Sequence, residues 1–121
     1  MDPVEQVLAE VMEQVPGAIL AGLLGTDGVG VQVALGEDWQ ETDAQAVEVE
    51  LAALGAAVQK AAAGLEANPS PDFFLGTAQA NFLGVMVSPA YFLVLGLPPD
   101  GDLDRARSVL DQARAALAGA R

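Results

Sequence analysis

The sequence has neither cysteine nor histidine among its 121 residues. Without cysteine there is no disulfide bond and no thiol nucleophile, and without histidine there is no imidazole base. Most zinc, haem and iron–sulfur ligand sets also need one of these two residue types. The sequence therefore predicts no metal site and no cofactor, and it leaves few kinds of enzyme chemistry open.

Basic residues are scarce as well. Five Lys and Arg stand against 17 Asp and Glu, which gives a formal net charge of -12 at pH 7. Because this charge repels phosphate backbones and anionic lipids, neither nucleic acid nor a membrane surface is an expected partner. No apolar run approaches the ~20 residues that a membrane-spanning helix needs. Residues 1–5 are acidic where a signal peptide would be basic, so we expect a cytoplasmic protein.

Apolar residues are abundant: they make up 52% of the chain, against 18% for charged residues. A chain of this composition can bury a substantial core and does not resemble a disordered segment. Its length suits one core and leaves no room for a second. We therefore expect a single domain over residues 1–121.

The first predicted element is an amphipathic helix. Apolar residues recur at helical spacing from Val4 to Val15. Asp2 is the predicted N-cap, with Pro3 at the first helical position, and Pro16-Gly17 ends the helix.

Two strands follow this helix. Residues 18–24 form an almost unbroken apolar run, which is typical of an inner strand covered on both faces. Asp27-Gly28 is a favourable hairpin turn. Residues 29–36 then alternate, and the alternation predicts one packed face made of Val29, Val31, Val33 and Leu35.

The longest predicted helix opens with a capping box at Thr42 and Gln45 and runs to about Leu65. A helical wheel places one narrow apolar stripe on the side that should face the sheet. This stripe consists of Val47, Leu51, Leu54, Val58, Ala62 and Leu65.

The opposite side of this long helix is small and apolar instead of charged. It carries Val49, Ala52, Ala53, Ala56 and Ala63, with Lys60 as its only charge. A helix that is apolar nearly all round is buried all round, and a single small domain has no further layer to cover this side. We infer self-association through this face. The alternative is that alanine is simply the best helix former and is common on exposed helices.

The second half of the chain reads as three strands and a helix. Residues 68–71 break the long helix, and residues 72–80, 83–87 and 91–97 have strand patterns. Apolar residues at helical spacing over residues 103–119 predict the last helix. The order α-β-β-α-β-β-β-α predicts an α+β fold. Its five-stranded antiparallel sheet would carry the long helix on one face and the two terminal helices on the other.

Catalytic patterns are weak throughout. The glycines of residues 25–30 join two strands, where a phosphate-binding loop needs a helix. Asp27, Glu37 and Asp38 lack the spacing of a calcium loop. Ser70, Ser88 and Ser108 have no histidine to activate them, and Lys60 is the only lysine. We therefore predict no catalytic residue.

Three side chains outside the core have an open role. Trp39, the only tryptophan, is either a partner anchor or a lid over one end of the core. Arg105 and Arg107 lie at helical spacing from acidic neighbours, which favours local ion pairs over an anion site.

Three features carry a family resemblance. They are the order of elements, the segment 16–29 with its apolar strand and Asp-Gly hairpin, and the paired strands of 82–97 before the closing helix. The chain resembles the Roadblock/dynein light chain family, and within it the bacterial, MglB-like regulators of small GTPases. These motifs are apolar patterns and glycines without a catalytic signature, so they carry fold better than function.

The resemblance implies a homodimer in which the long helices pack about a two-fold axis and residues 72–80 pair as edge strands. Phe73, Phe74, Leu75, Thr77 and Gln79 would then lie in the interface. It also implies a non-enzymatic regulator or scaffold of a Ras-like small GTPase. Since no loop offers an arginine, any stimulation of GTP hydrolysis would act by positioning the partner's own residues. The alternative function is a small-ligand sensory module of the PAS or GAF kind, which needs a pocket between helix and sheet.

Overall fold

Three helices and five strands follow one another in the order that the sequence predicts. A computed structural model describes residues 3–27, 30–41, 43–65 and 72–120. The helices are α1 (Pro3–Gln14), α2 (Ala44–Gly64) and α3 (Leu103–Ala120). The strands are β1 (Leu20–Gly25), β2 (Gly30–Leu35), β3 (Phe73–Gly76), β4 (Asn81–Ser88) and β5 (Tyr91–Leu97), and a 3₁₀ turn spans Glu37–Trp39.

All five strands form one antiparallel sheet in the order β2-β1-β5-β4-β3. The last strand in sequence lies at the centre because it is apolar along its whole length and can be covered on both faces. Its residues Leu93, Val94 and Leu95 have no exposed surface. The predicted fold class is confirmed, with α2 on one face of the sheet and α1 and α3 on the other.

The face under α1 and α3 holds the larger part of the core. Leu8 and Val11 of α1 and Leu110 and Leu117 of α3 are buried against alternate residues of the strands. Both helices present the apolar stripe that the sequence predicts, and Pro16-Gly17 follows α1, with Gly17 at a φ of 77°. None of the described helices is long and apolar enough to cross a membrane.

On the face of the sheet under α2, the helix makes its closest contact at a glycine, Gly55. A Cβ atom on Gly55 would overlap the ring of Phe92, which is 1% exposed on β5. The Phe92 ring also meets Phe73 edge to face, with centroids 6.1 Å apart. The backbone of α2 therefore rests directly on an aromatic ring of the central strand, and only glycine allows so close an approach.

The helix crosses the strands as it runs. Glu48 lies over Gly30 on β2, where a Cβ on the glycine would be 3.0 Å from the Glu48 Cβ. Further along, the Gln59 side-chain amide donates a hydrogen bond to the Met86 sulfur on β4, at 3.0 Å. The N-terminal half of α2 thus covers one edge of the sheet, and its C-terminal half reaches toward the other.

The long helix begins one residue later than predicted. Asp43 is the N-cap, and its side chain accepts hydrogen bonds from the backbone N–H groups of Gln45 and Ala46. The predicted Thr42 capping box is therefore wrong. Thr42 and the predicted N-cap Asp2 of α1 both lie outside the described residues.

Replacing the observed cap should destabilise the fold measurably. We expect Asp43→Ala to lower the free energy of unfolding by about 1 kcal/mol, because two N–H groups of α2 lose their acceptor. Asp43→Asn keeps an equivalent acceptor and should stay within about 0.5 kcal/mol of the parent. Urea denaturation of the three proteins measures both changes, and equal losses in the two variants would contradict the assignment.

The face of α2 that packs on the sheet is rotated about the helix axis relative to the predicted apolar stripe. Leu51, Gly55 and Ala62 are buried beneath the helix, but Leu65 is 80% exposed and does not face the sheet. Leu54 and Val58 are only half-buried. The prediction placed the large apolar side chains against the sheet, whereas α2 comes closest to the sheet at Gly55.

Two strands also depart from the predicted patterns. The alternation of β2 breaks at Val31, which is 40% exposed, because the register with β1 shifts between Leu23 and Leu24. Strand β3 ends at Gly76 and does not reach residue 80. The Thr77 hydroxyl donates to the Ala80 carbonyl and accepts from the Ala80 N–H, which closes a turn before β4.

Candidate interaction surfaces

The side of α2 that points away from the sheet is small, apolar and exposed. We define the outer α2 face as Ala46, Val49, Ala53, Ala57 and Lys60. Val49 is 62% exposed, and no charge occurs in α2 between Glu50 and Lys60. An uncharged helix face of this length is unusual on a monomer and is typical of a surface that meets another protein.

The structure changes the membership of the predicted helix surface. Ala53, Lys60 and Ala63 are exposed, as a docking surface requires, and Ala56 is half-buried. Ala52 is 0% exposed and packs in the core beneath the helix, so its prediction as an interface residue is wrong. The predicted outer side of the helix omitted Ala57, because the predicted inner stripe was rotated away from the line through Gly55.

Strand β3 supplies a second exposed apolar surface. It pairs with β4 on one side and forms the edge of the sheet on the other. Phe74 is 51% exposed and Leu75 40% exposed. Phe73 is half-buried against Phe92 and lies over Gly84, where a Cβ would overlap its ring. An exposed edge with large apolar side chains is a template for pairing with another chain.

The last two residues predicted in this edge strand lie elsewhere. Thr77 and Gln79 belong to the turn that the Thr77 hydroxyl organises, and the Gln79 N–H donates to that hydroxyl at 3.3 Å. Both side chains are exposed beside β3, but neither extends the ladder. The pairing edge is therefore four residues long, Phe73–Gly76.

The C-terminal end of the outer α2 face lies toward the β3 side of the sheet, whereas its N-terminal end lies over β2. The hydrogen bond from Gln59 to Met86 places the C-terminal half of α2 above β4, which is the strand next to β3. A single partner could therefore contact both the outer α2 face and the β3 edge.

Trp39 lies at the other end of the sheet in a well-fixed 3₁₀ turn. Its backbone N–H donates to the Gly36 carbonyl at 2.9 Å, and the Gln40 side chain donates to the Leu35 carbonyl at 2.6 Å. The Trp39 side chain is 41% exposed. The ring is therefore partly covered, and both predicted roles, partner anchor and lid over one end of the core, stay open.

An apolar groove opens beside Trp39, between α2 and the sheet. We call it the α2 groove; its volume is about 330 Å³. Its lining includes Leu20 and Leu35 on the sheet, Val47 and Leu51 on α2, and Phe82 on β4. Sequence reasoning found Trp39 but not this groove, which brings together residues from three strands and a helix.

Two of the three arginines of α3, Arg105 and Arg114, are bound within the fold. The Arg105 guanidinium donates to the Gln14 carbonyl at 3.1 Å and so satisfies the C-terminal end of α1. Arg114 forms ion pairs with Asp111 at 2.6 Å and Asp72 at 3.5 Å. The predicted local pairing of Arg105 with acidic neighbours is corrected by its contact with α1.

Serine and acidic side chains show turn roles where they are described. The Ser88 hydroxyl accepts a hydrogen bond from the Ala90 N–H in the β4–β5 turn. Over the residues that the structure describes, no group of three or more acidic side chains could hold a metal ion. The structure therefore adds no catalytic or metal candidate to the interaction surfaces.

The arrangement of elements matches known structures over nearly the whole chain. The sequence matches no family model and no curated protein. In structure, the chain is similar to a Roadblock/LC7 domain from Streptomyces avermitilis, with 13% identity, a TM-score of 0.77 and coverage of 93% and 92% of the two chains. The chain has a Roadblock/LC7 fold, as predicted.

Within this fold the likeness extends to the Mgl proteins. MglC from Myxococcus xanthus is 28% identical, with a TM-score of 0.72 and 98% of each chain covered. MglB from the same organism is 20% identical, with a TM-score of 0.82 and coverage of 96% and 92%. The chain is therefore MglB-like in fold.

Proposed function

We propose that this protein is a homodimeric, non-enzymatic regulator or scaffold of a Ras-like small GTPase, acting in the cytoplasm. The observation that carries the proposal is the likeness to MglC at 28% identity over 98% of both chains. A regulatory role toward small GTPases is what the Roadblock resemblance implies. The proposal does not require a catalytic centre in this chain.

Self-association is supported by two exposed apolar surfaces, the outer α2 face and the β3 edge. Val49 on the outer α2 face and Phe74 on the β3 edge are both more than half exposed in the single chain. Pairing β3 with its copy would remove the open edge, and packing α2 against its copy would cover the alanines. A dimer of this kind would cover both apolar surfaces at once.

Any stimulation of GTP hydrolysis would not use Arg105 or Arg114. Arg105 and Arg114 are held by Gln14, Asp72 and Asp111 on the face of the sheet opposite α2. An inserted arginine needs a reachable, mobile position. We therefore propose that activation, where it occurs, acts by orienting the catalytic groups of the GTPase.

The central test uses purified protein and the small Ras-like GTPases of the source organism, each loaded with GDP or a non-hydrolysable GTP analogue. We expect one GTPase to bind with at least about a tenfold preference for one nucleotide state, measured by calorimetry. If no GTPase binds in either state while the protein is dimeric, the regulatory proposal is wrong.

Single-turnover hydrolysis then separates activation from scaffolding. Where this protein raises the hydrolysis rate, Arg105→Met, Arg107→Met and Arg114→Met should each keep most of the stimulation, because positioning needs no arginine. Loss of stimulation in one correctly folded variant would instead identify an arginine that acts on the GTPase.

The sensory-module alternative finds less support. Such a module encloses its ligand between a helix and the sheet. Here Gly55 rests on Phe92, and Leu51 and Ala52 are buried between α2 and the strands. The α2 groove lies at the side of this contact and opens to solvent.

A further inference from the structure

The α2 groove and Trp39 form a docking site that borders the outer α2 face at Ala46 and ends at Phe82, which pairs with Leu75 on β3. We propose that this site binds a short, basic, amphipathic helix of a partner protein. The inference goes beyond the proposed GTPase regulation and does not depend on it.

The floor of the groove is a single row of residues across four strands. Leu35 on β2 pairs with Leu20 on β1, Leu20 pairs with Gly96 on β5, and Gly96 pairs with Phe82 on β4. Gly96 has no side chain, and the side chains of Leu20 and Phe82 close over it, because a Cβ there would lie 3.1 Å from the Leu20 Cγ and 3.2 Å from the Phe82 Cε1. Three inter-strand spacings give this row a length of ~14 Å.

The length of this row favours a short helix as the bound segment. About 14 Å corresponds to two and a half turns of an α-helix, at ~5.4 Å per turn. A helix lying along the row and beside α2 can place apolar side chains at positions i, i+3, i+4 and i+7 into the groove. The half-buried side chains of Leu35, Val47 and Phe82 would then lose their remaining contact with water.

Trp39 provides an anchor at one end of the row. Tryptophan contributes strongly at binding sites because its large ring buries much apolar area at a low cost in side-chain entropy. The ring is 41% exposed although the backbone beneath it is fixed by the bonds to Leu35 and Gly36. An exposed ring on a rigid turn is prepared for contact without rearrangement.

The charge of the rim selects a basic occupant. Among the described residues that line the α2 groove, the charged ones are Asp43 and Glu50, both acidic. A second hollow, of about 490 Å³ on the far side of Trp39, is lined by Glu13 and Glu37 and likewise by no cation among the described residues. Acidic groups on both sides of an apolar anchor complement lysine or arginine beside apolar side chains.

A second copy of this chain fits the groove less well. α2 is the helix that would reach it in a dimer, and Lys60 is its only cation against Glu48 and Glu50. The copy would therefore bring more negative charge than positive to an acidic rim. The single chain's net charge of -12 points the same way.

The test uses the only tryptophan of the chain as its reporter. A synthetic leucine–lysine peptide about three turns long, with leucines at i, i+3, i+4 and i+7 and no tryptophan, is titrated into the full-length protein at low salt. We expect Trp39 emission to shift to shorter wavelength with a saturable affinity. A leucine–glutamate peptide of the same pattern, and a lysine peptide without leucines, should bind at least about tenfold more weakly.

Charge-reversed variants localise the binding. Glu50→Lys and Glu37→Lys should each weaken the leucine–lysine peptide at least about fivefold. Glu10→Lys, an exposed change of the same charge on α1, should leave the affinity within about twofold. Equal weakening by all three variants would show attraction to the net charge only, and it would overturn the proposal, as would the absence of an emission shift.

The same reporter tests the second copy as occupant. If Trp39 emission shifts as the protein alone is concentrated, and the peptide then competes with self-association, a second copy fills the groove and the proposal is wrong. If the dimer forms without a shift and still binds the peptide, the proposal holds. Neither outcome involves the GTPase, so the two proposals fail separately.

Discussion

Gly55→Val should be the most damaging conservative change in the core, lowering the free energy of unfolding by about 3 kcal/mol. A single Cβ at this position overlaps the Phe92 ring, and valine adds two further methyl groups. The ring cannot move aside, because Phe92 is 1% exposed and meets Phe73 edge to face. The helix must therefore rise from the sheet and separate Leu51 and Ala62 from their contacts.

Gly64→Ala is the matched control on the same helix. A Cβ on Gly64 would have no atom within 4 Å, so the alanine gains helix propensity without a clash. We expect its stability to be unchanged or raised by up to about 1 kcal/mol. Chemical denaturation followed by circular dichroism measures both variants. A Gly55→Val protein as stable as Gly64→Ala would contradict the close packing of α2 on Phe92.

The contrast between these two glycines shows what sequence periodicity can and cannot predict. The extent of α2 is visible from its alanines, leucines and polar residues over residues 44–64. Its orientation depends on Gly55, which carries no hydrophobic signal, and on a phenylalanine 37 positions later, Phe92. A wheel built on large apolar residues is therefore rotated, and it assigns Ala52 to the wrong side.

The bounds of the strands were also only partly predictable. Residues 91–97 are an unbroken apolar run between two turn-forming segments, so the central strand could be predicted with its observed bounds. The end of β3 could not, because no glycine or proline follows Gly76 before the turn. The side chain of Thr77 makes that turn instead, through its bonds with Ala80.

Interaction surfaces were partly predictable for a related reason. An exposed apolar residue such as Val49 or Phe74 stands out against a polar pattern, and Trp39 stands out by its chemistry. The α2 groove is formed along the row from Leu35 to Phe82, whose two ends are 47 positions apart in the chain. Only the strand order brings them together, and the sequence pattern alone does not fix that order.

Val49→Glu should convert the proposed dimer to monomers, with the dissociation constant raised at least about 100-fold. Val49 is 62% exposed in the single chain, so the substitution should leave the fold and its stability nearly unchanged. In the dimer it would place a carboxylate from each copy among alanines and away from water. The Lys60 side chain of the same chain lies three turns away and cannot reach it.

Val31→Glu is the control for the added charge, because it makes the same substitution at an exposed valine outside the outer α2 face, on the edge strand opposite β3. Sedimentation equilibrium over a range of concentrations should give a dimer for the parent and for Val31→Glu, and a monomer for Val49→Glu. A parent protein that is monomeric throughout would refute self-association altogether. A dimeric Val49→Glu protein would retain the dimer but move its interface from the outer α2 face to the β3 edge, where Phe74→Glu becomes the decisive change.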